Sequence, residues 1–255
     1  MRLGPRAPLG KSPLRQMGGV APVGPAGFHA AKATEGPHML VIHGVTRSRA
    51  SRIIWLCHEL DLPFRQEPVI QAYRLANADA RGAPPNTRSP SFLALSPAGA
   101  IPVIEDEGLV LSESLAAVMH LTRKHGGNLA PADAAEDALM LQWALYAATS
   151  IEPDALTIQM LNRPAAGAED RALVTDAIDR LKRPLKVLED HLAAHGHLVG
   201  GRFTAADLMM AEIVRYGWTD NRLRAAWPAV SRWLDACQSR PAFKTMWAAR
   251  EAEPA

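Results

Sequence analysis

The sequence predicts an α/β N-terminal half followed by an all-helical C-terminal half. Three observations carry this: a strand–helix–strand pattern between residues 39 and 70, a second pair of short apolar runs that leads into another helical stretch, and the loss of strand patterns beyond Ala130.

Met39–His43 is short, apolar and β-branched and ends at Gly44, which predicts a buried first strand. Ile53, Ile54, Leu56, Cys57 and Leu60 then recur at helical spacing, predicting a helix over Ser48–Asp61 with Ser48 as its cap. Phe64–Ile70 reads as the second strand, and the polar stretch 71–90, broken by Gly82, Pro84 and Pro85, as a loop leading to a short helix at Phe92–Leu95. Ile101–Ile104 and Leu109–Leu111 flank Glu105–Gly108, the pattern of an antiparallel hairpin, and a helix follows over Glu113–His125. Helical patterns then cover Ala134–Leu161, Glu169–His195, Ala205–Trp218 and Pro228–Cys237. Trp143, Tyr146, Trp218 and Trp233 sit at helical spacing and read as core. The α/β domain is bounded at 39–127 and the helical domain at 133–250.

The 255 residues, 48% of them hydrophobic, suffice for two modest cores. Residues 1–38 are rich in Pro, Gly and Ala and carry five basic side chains against one acid, and they read as a disordered extension ahead of the working chain. The remainder holds 23 basic and 25 acidic residues, which excludes the uncompensated basic face of a nucleic-acid binder. No apolar run reaches the roughly 20 residues needed to span a bilayer. Cys57 and Cys237 belong to no CxxC or Cys/His spacing, so neither a disulfide framework nor a metal site is expected, and a reducing, cytoplasmic setting fits.

Five strings, in order, resemble the glutathione transferase family: TRSRASR (46–52) running into IIWLCHEL (53–60), SPSFLALSPAG (89–99), IPVI (101–104), LSES (111–114) and FTAAD (203–207). The first further resembles a serine-type, fungal and bacterial branch. The resemblance implies a thioredoxin-like glutathione-binding domain, an all-α second domain and a homodimer. It also implies a reaction that joins glutathione, as co-substrate, to a small hydrophobic electrophile, with glutathione peroxidase activity as a companion. Two other readings keep the fold: a glutathione-dependent isomerase or dehalogenase, and a transferase-like module without catalysis. The isomerase branch resembles Ser-Ser-Cys after its first strand, which this chain lacks.

The resemblance also assigns residues. The bond before Pro102 is cis in the family, which turns the Ile101 main chain toward the cysteinyl backbone of glutathione; an ordinary turn proline is the alternative. Glu113 and Ser114 stand where a helix starts, and a helix N-terminus favours an anion, here the γ-glutamyl carboxylate. Ser114 suits that carboxylate and Glu113 the neighbouring ammonium, while capping by Ser112 and Glu113 is the plainer alternative. Catalysis requires a donor that holds the glutathione sulfur as thiolate at the start of the first helix. Ser48 is the leading candidate, with Ser51, Thr46 and Arg49 as alternatives; Cys57 falls on an apolar helix face and reads as a core thiol. Thr204–Asp207 reads as a structural capping box.

Overall fold

The computed structural model describes residues 39–253; the expected extension 1–38 lies outside them. Strand β1 is Leu40–His43, helix α1 Ala50–Glu59 and strand β2 Phe64–Glu67. β2 stops short of Ile70 because Pro68 has no N–H for the ladder. Helix α2, Pro90–Leu95, closes a long loop, and the hairpin β3 (Val103–Asp106) and β4 (Leu109–Ser112) leads into α3, Ser114–His125. Glu107 and Gly108 both have positive φ, 48° and 85°, the two-residue turn whose twist matches the flanking strands. β3 begins two residues later than expected, since Pro102 cannot donate to the sheet.

The four strands form one sheet in the order β2-β1-β3-β4, with β1 parallel to β2 and β3 antiparallel to both its neighbours. The parallel pair requires a crossover, and α1 supplies it. Ile42 pairs with Ile104 at the sheet centre, and both are fully buried.

The rest of the described chain is helical. Helix α4 spans Ala134–Tyr146, and a wide π-helical turn, Ala147–Ile151, leads into α5, Glu152–Leu161. The sequence pattern read this as one helix. Pro153 breaks the hydrogen-bond ladder, and the wider turn absorbs the break. Helices α6 (Ala168–His195), α7 (Ala205–Gly217), α8 (Asn221–Ala226), α9 (Pro228–Ser239) and α10 (Pro241–Ala252) follow. Neither α8 nor α10 is marked by the apolar pattern of the sequence.

One hydrophobic core joins the two halves, with Ile53, Trp55 and Leu56 of α1 in the same cluster as α5, α7 and α9. Every residue of α7 is buried. Such a helix can carry polar side chains only if they are paired. Asp207 closes the capping box with Thr204, and Glu212 pairs with Arg215 at 2.7 Å. Trp143, Trp218 and Trp233 are buried, while Tyr146 packs against the core from its edge. Cys57 and Cys237 are free and buried, and burial pushes the Cys57 thiol up to about 12, so it is no nucleophile near neutral pH. Among the described residues no helix is long and apolar enough to cross a membrane.

Candidate active site

A cleft of about 570 Å³ opens where the start of α1, the turn before β3 and the N-terminus of α3 meet the face of α4. Its polar end is formed by Arg49, Arg52, Glu113 and Ser114, and its apolar wall by Met119, Leu141 and Leu145. Ile101 and Pro102 line the floor between them.

Each side is set by local sequence. Gly44, at φ 143°, lets the chain leave β1 sharply; a Cβ there would lie 3.3 Å from that of Ile101. The Ile101–Pro102 bond is cis, and no hydrogen bond among the described residues engages the Ile101 main chain. Its N–H and C=O therefore suit a strand-like partner entering the cleft.

At the third side, Glu113 has φ 67° and ψ 106°, an uncommon conformation for a residue with a side chain. Neither Ser112 nor Glu113 caps α3: no side-chain cap bond is made there, so the first N–H groups face the cleft. Ser114 is buried and its Oγ accepts a 3.0 Å hydrogen bond from Arg52 Nη1. That bond fills an acceptor position of the hydroxyl, which makes no other hydrogen bond among the described residues, so its proton is left to donate. A carboxylate at the α3 N-terminus would receive it.

Arg52 is held in turn from the helical half. Its Nη2 donates to Glu152 Oε1 at 2.6 Å, and Arg49 Nε donates to the same oxygen at 2.6 Å. Burial alone would push the Glu152 carboxyl up, but the charges and hydrogen bonds of Arg52 and Arg49 outweigh it and hold the group below the ordinary carboxylate range. The result is a chain of contacts Arg49–Glu152–Arg52–Ser114 that ties the two halves beneath the cleft.

Ile101, Pro102, Glu113 and Ser114 all meet in this cleft. Ser48 is not part of its lining, although the next residue, Arg49, is. α1 begins at Ala50, with Arg49 as its cap residue, so Ser48 lies one position further out than the sequence placed it. The Ser48 hydroxyl donates to Val45 O at 2.6 Å and accepts from Ala50 N at 3.0 Å. Ser51 is fully buried and donates to Glu212, and Thr46 is buried against Gln66. Of the four candidate donors only Arg49 lines the cleft. Arg52 and Glu152 were missed in the sequence; Arg52 is the last residue of TRSRASR, and the Glu152-Pro153 pair marks a break in a helical pattern, a visible signal for a special position.

Two domain families match the chain: glutathione S-transferase, N-terminal domain, over residues 42–129, and glutathione S-transferase, C-terminal domain, over residues 166–236. Glutathione S-transferase 3 of Zea mays is 36% identical over 176 residues, covering 64% of this chain and 77% of that protein. Glutathione S-transferase 3 of Schizosaccharomyces pombe is 28% identical over 221 residues, 81% of this chain and 86% of that protein. The solved structure of glutathione S-transferase III in its apo form is 31% identical, with a TM-score of 0.67, and covers 86% of this chain and 100% of that one. Mouse elongation factor 1-gamma is also similar, at 28% identity over 68% of this chain and 41% of that protein.

Proposed function

Because the chain belongs to the glutathione S-transferase family, we propose that it joins glutathione to small hydrophobic electrophiles, acting as a homodimer in a reducing cytoplasm. The observation that carries this reading is the free proton of Ser114, oriented by Arg52 beside an uncapped helix N-terminus and the unengaged Ile101 main chain. Glutathione has a partner for each: its γ-glutamyl carboxylate for Ser114 and the α3 N–H groups, its ammonium for Glu113, and its cysteinyl backbone for Ile101. The Met119, Leu141 and Leu145 wall suits the apolar body of the second substrate. With a chlorinated aromatic compound, the sulfur anion forms the C–S bond, chloride leaves, and the thiol proton passes to solvent.

Ser48 is the proposed donor to that sulfur, with Arg49 adding positive charge at the cleft edge. Donation requires the Ser48 proton to swing from Val45 O toward the ligand, a rotation about one bond. Free thiols titrate near about 8.5, so at neutral pH only a minor fraction is anionic without such help. Ser48→Ala is expected to lower turnover about tenfold or more while glutathione affinity stays within a few-fold, and to regain rate in alkali, which supplies the thiolate directly. Ser51→Ala and Thr46→Val should be milder. If Ser48→Ala keeps its turnover and its pH profile while Arg49→Met collapses, the role belongs to Arg49.

A second reading, a transferase-like module without catalysis, is favoured by the Ser48 proton, which is already engaged, and by the likeness to elongation factor 1-gamma. Turnover of a chlorinated aromatic compound with glutathione separates the two, since the module would bind glutathione and show none. The homodimer reading rests on the resemblance to the family. Sedimentation should give twice the chain mass at micromolar concentration, and a monomer there would overturn it.

A further inference from the structure

The loop between β1 and α1, which carries Ser48, is held from more than 200 residues away by the C-terminal end of α10. Both carboxylate oxygens of Glu253 accept consecutive main-chain N–H groups of that loop, Thr46 N at 2.6 Å and Arg47 N at 2.8 Å. The clasp is reciprocal: Arg250 Nη1 donates to Thr46 O at 2.8 Å, and Arg47 Nε donates to Arg250 O at 2.9 Å. Gln66 of β2 closes the arrangement, donating to Gly44 O at 2.8 Å and reaching Thr46 Oγ1 and Glu253 Oε1 at 3.2 and 3.3 Å. Thr46 is 1% exposed, so without Glu253 its N–H would have neither a protein acceptor nor ready access to water.

We propose that Glu253 is a positioning residue of the conjugation reaction: its carboxylate fixes the Thr46–Arg47 backbone and thereby the placement of Ser48 and Arg49 at the cleft edge. This rests on the transferase reading above. Glu253 does not line the cleft, so its action runs through the loop. Nor does it hold α10 in place. That helix is docked on α1 by Phe243 packed edge-on to Trp55, ring centroids 4.9 Å apart, and by the Arg240–Glu59 pair at 2.6 Å. Removing the Glu253 carboxylate therefore loosens the loop at its two amides, although the Arg250 and Arg47 contacts remain, and leaves the helix seated.

The test uses the full chain with Glu253→Ala, and Glu251→Ala as control, because the Glu251 side chain reaches only Trp247 Nε1 among the described residues. Glu253→Ala is expected to lower turnover about tenfold with glutathione affinity within about threefold, a split that general destabilisation would not give. Amide exchange at Thr46 and Arg47 should quicken, and formate, a small carboxylate that fits the vacated place, should restore part of the rate. Glu251→Ala should change none of these. Parental turnover in Glu253→Ala, or unchanged exchange at the two amides, overturns the proposal. If the parental chain itself shows no turnover, the transferase reading fails separately, and the exchange measurement alone decides whether Glu253 holds the loop.

Discussion

Asp207→Ala is expected to cost about 3–5 kcal/mol of stability, a large fraction of the roughly 5–15 kcal/mol that holds a folded protein. Asp207 is fully buried, and its carboxylate accepts four hydrogen bonds: from Thr204 N at 3.0 Å, Thr204 Oγ1 at 3.2 Å, Leu198 N at 3.1 Å and Trp233 Nε1 at 2.9 Å. Three segments thus meet on one side chain: the loop before α7, the α7 cap and the middle of α9. Alanine would leave several donors buried without acceptors, and each such loss costs about 1–3 kcal/mol. Asp207→Asn keeps one acceptor oxygen and should cost roughly half as much. Urea unfolding of the three chains checks the order; an Asp207→Ala protein within about 1 kcal/mol of the parent would show that the capping box is dispensable.

The second large effect concerns ligand affinity. Ser114→Ala removes a hydroxyl that Arg52 orients toward the cleft, and a hydrogen bond to a charged partner contributes about 1.5–3 kcal/mol. Glutathione affinity should fall roughly ten- to a hundredfold, read by calorimetry. Ser114→Thr should recover part of it. The Glu152 carboxylate stands behind this geometry with its titration held low, so it contributes stability above the ordinary carboxylate range and loses that contribution as the pH falls through its depressed value. An unchanged dissociation constant in Ser114→Ala would refute the docking of the γ-glutamyl carboxylate at α3.

Most of the architecture was legible because it is written in local pattern. Alternation of apolar residues, the Glu107–Gly108 turn and the starts of α3 and α7 depend on neighbours within a few positions, and strands and helices fell within two or three residues of the reading. The π-helical turn was not seen, since Ala134–Leu161 keeps its apolar spacing across the Pro153 break. Nor was α10, although Phe243 and Met246 are its buried residues. In the cleft, the resemblance named Ile101, Pro102, Glu113 and Ser114, and the fold brings the four together, their binding roles being part of the proposal. The partners that orient them were not readable. Arg52 and Glu152 are 100 residues apart in sequence and Thr46 and Glu253 more than 200, and no local period records such a contact. Ser48 shows a limit at short range: the sequence offers a hydroxyl at the helix start, while the direction of its proton, toward Val45 O three residues back, follows from the backbone course of the loop.

On the proposed function, the cleft binds glutathione as its thiolate. Titration calorimetry in buffers of different ionisation enthalpy tests this directly by counting protons released on binding. Near pH 7 free glutathione is mostly protonated at sulfur, so a site that holds the anion should release a proton count approaching about one per chain. S-methylglutathione, which fills the same contacts without a titrating thiol, should bind and release none. Binding of both ligands with no difference in proton release would contradict the claim and favour a module that holds glutathione without activating it.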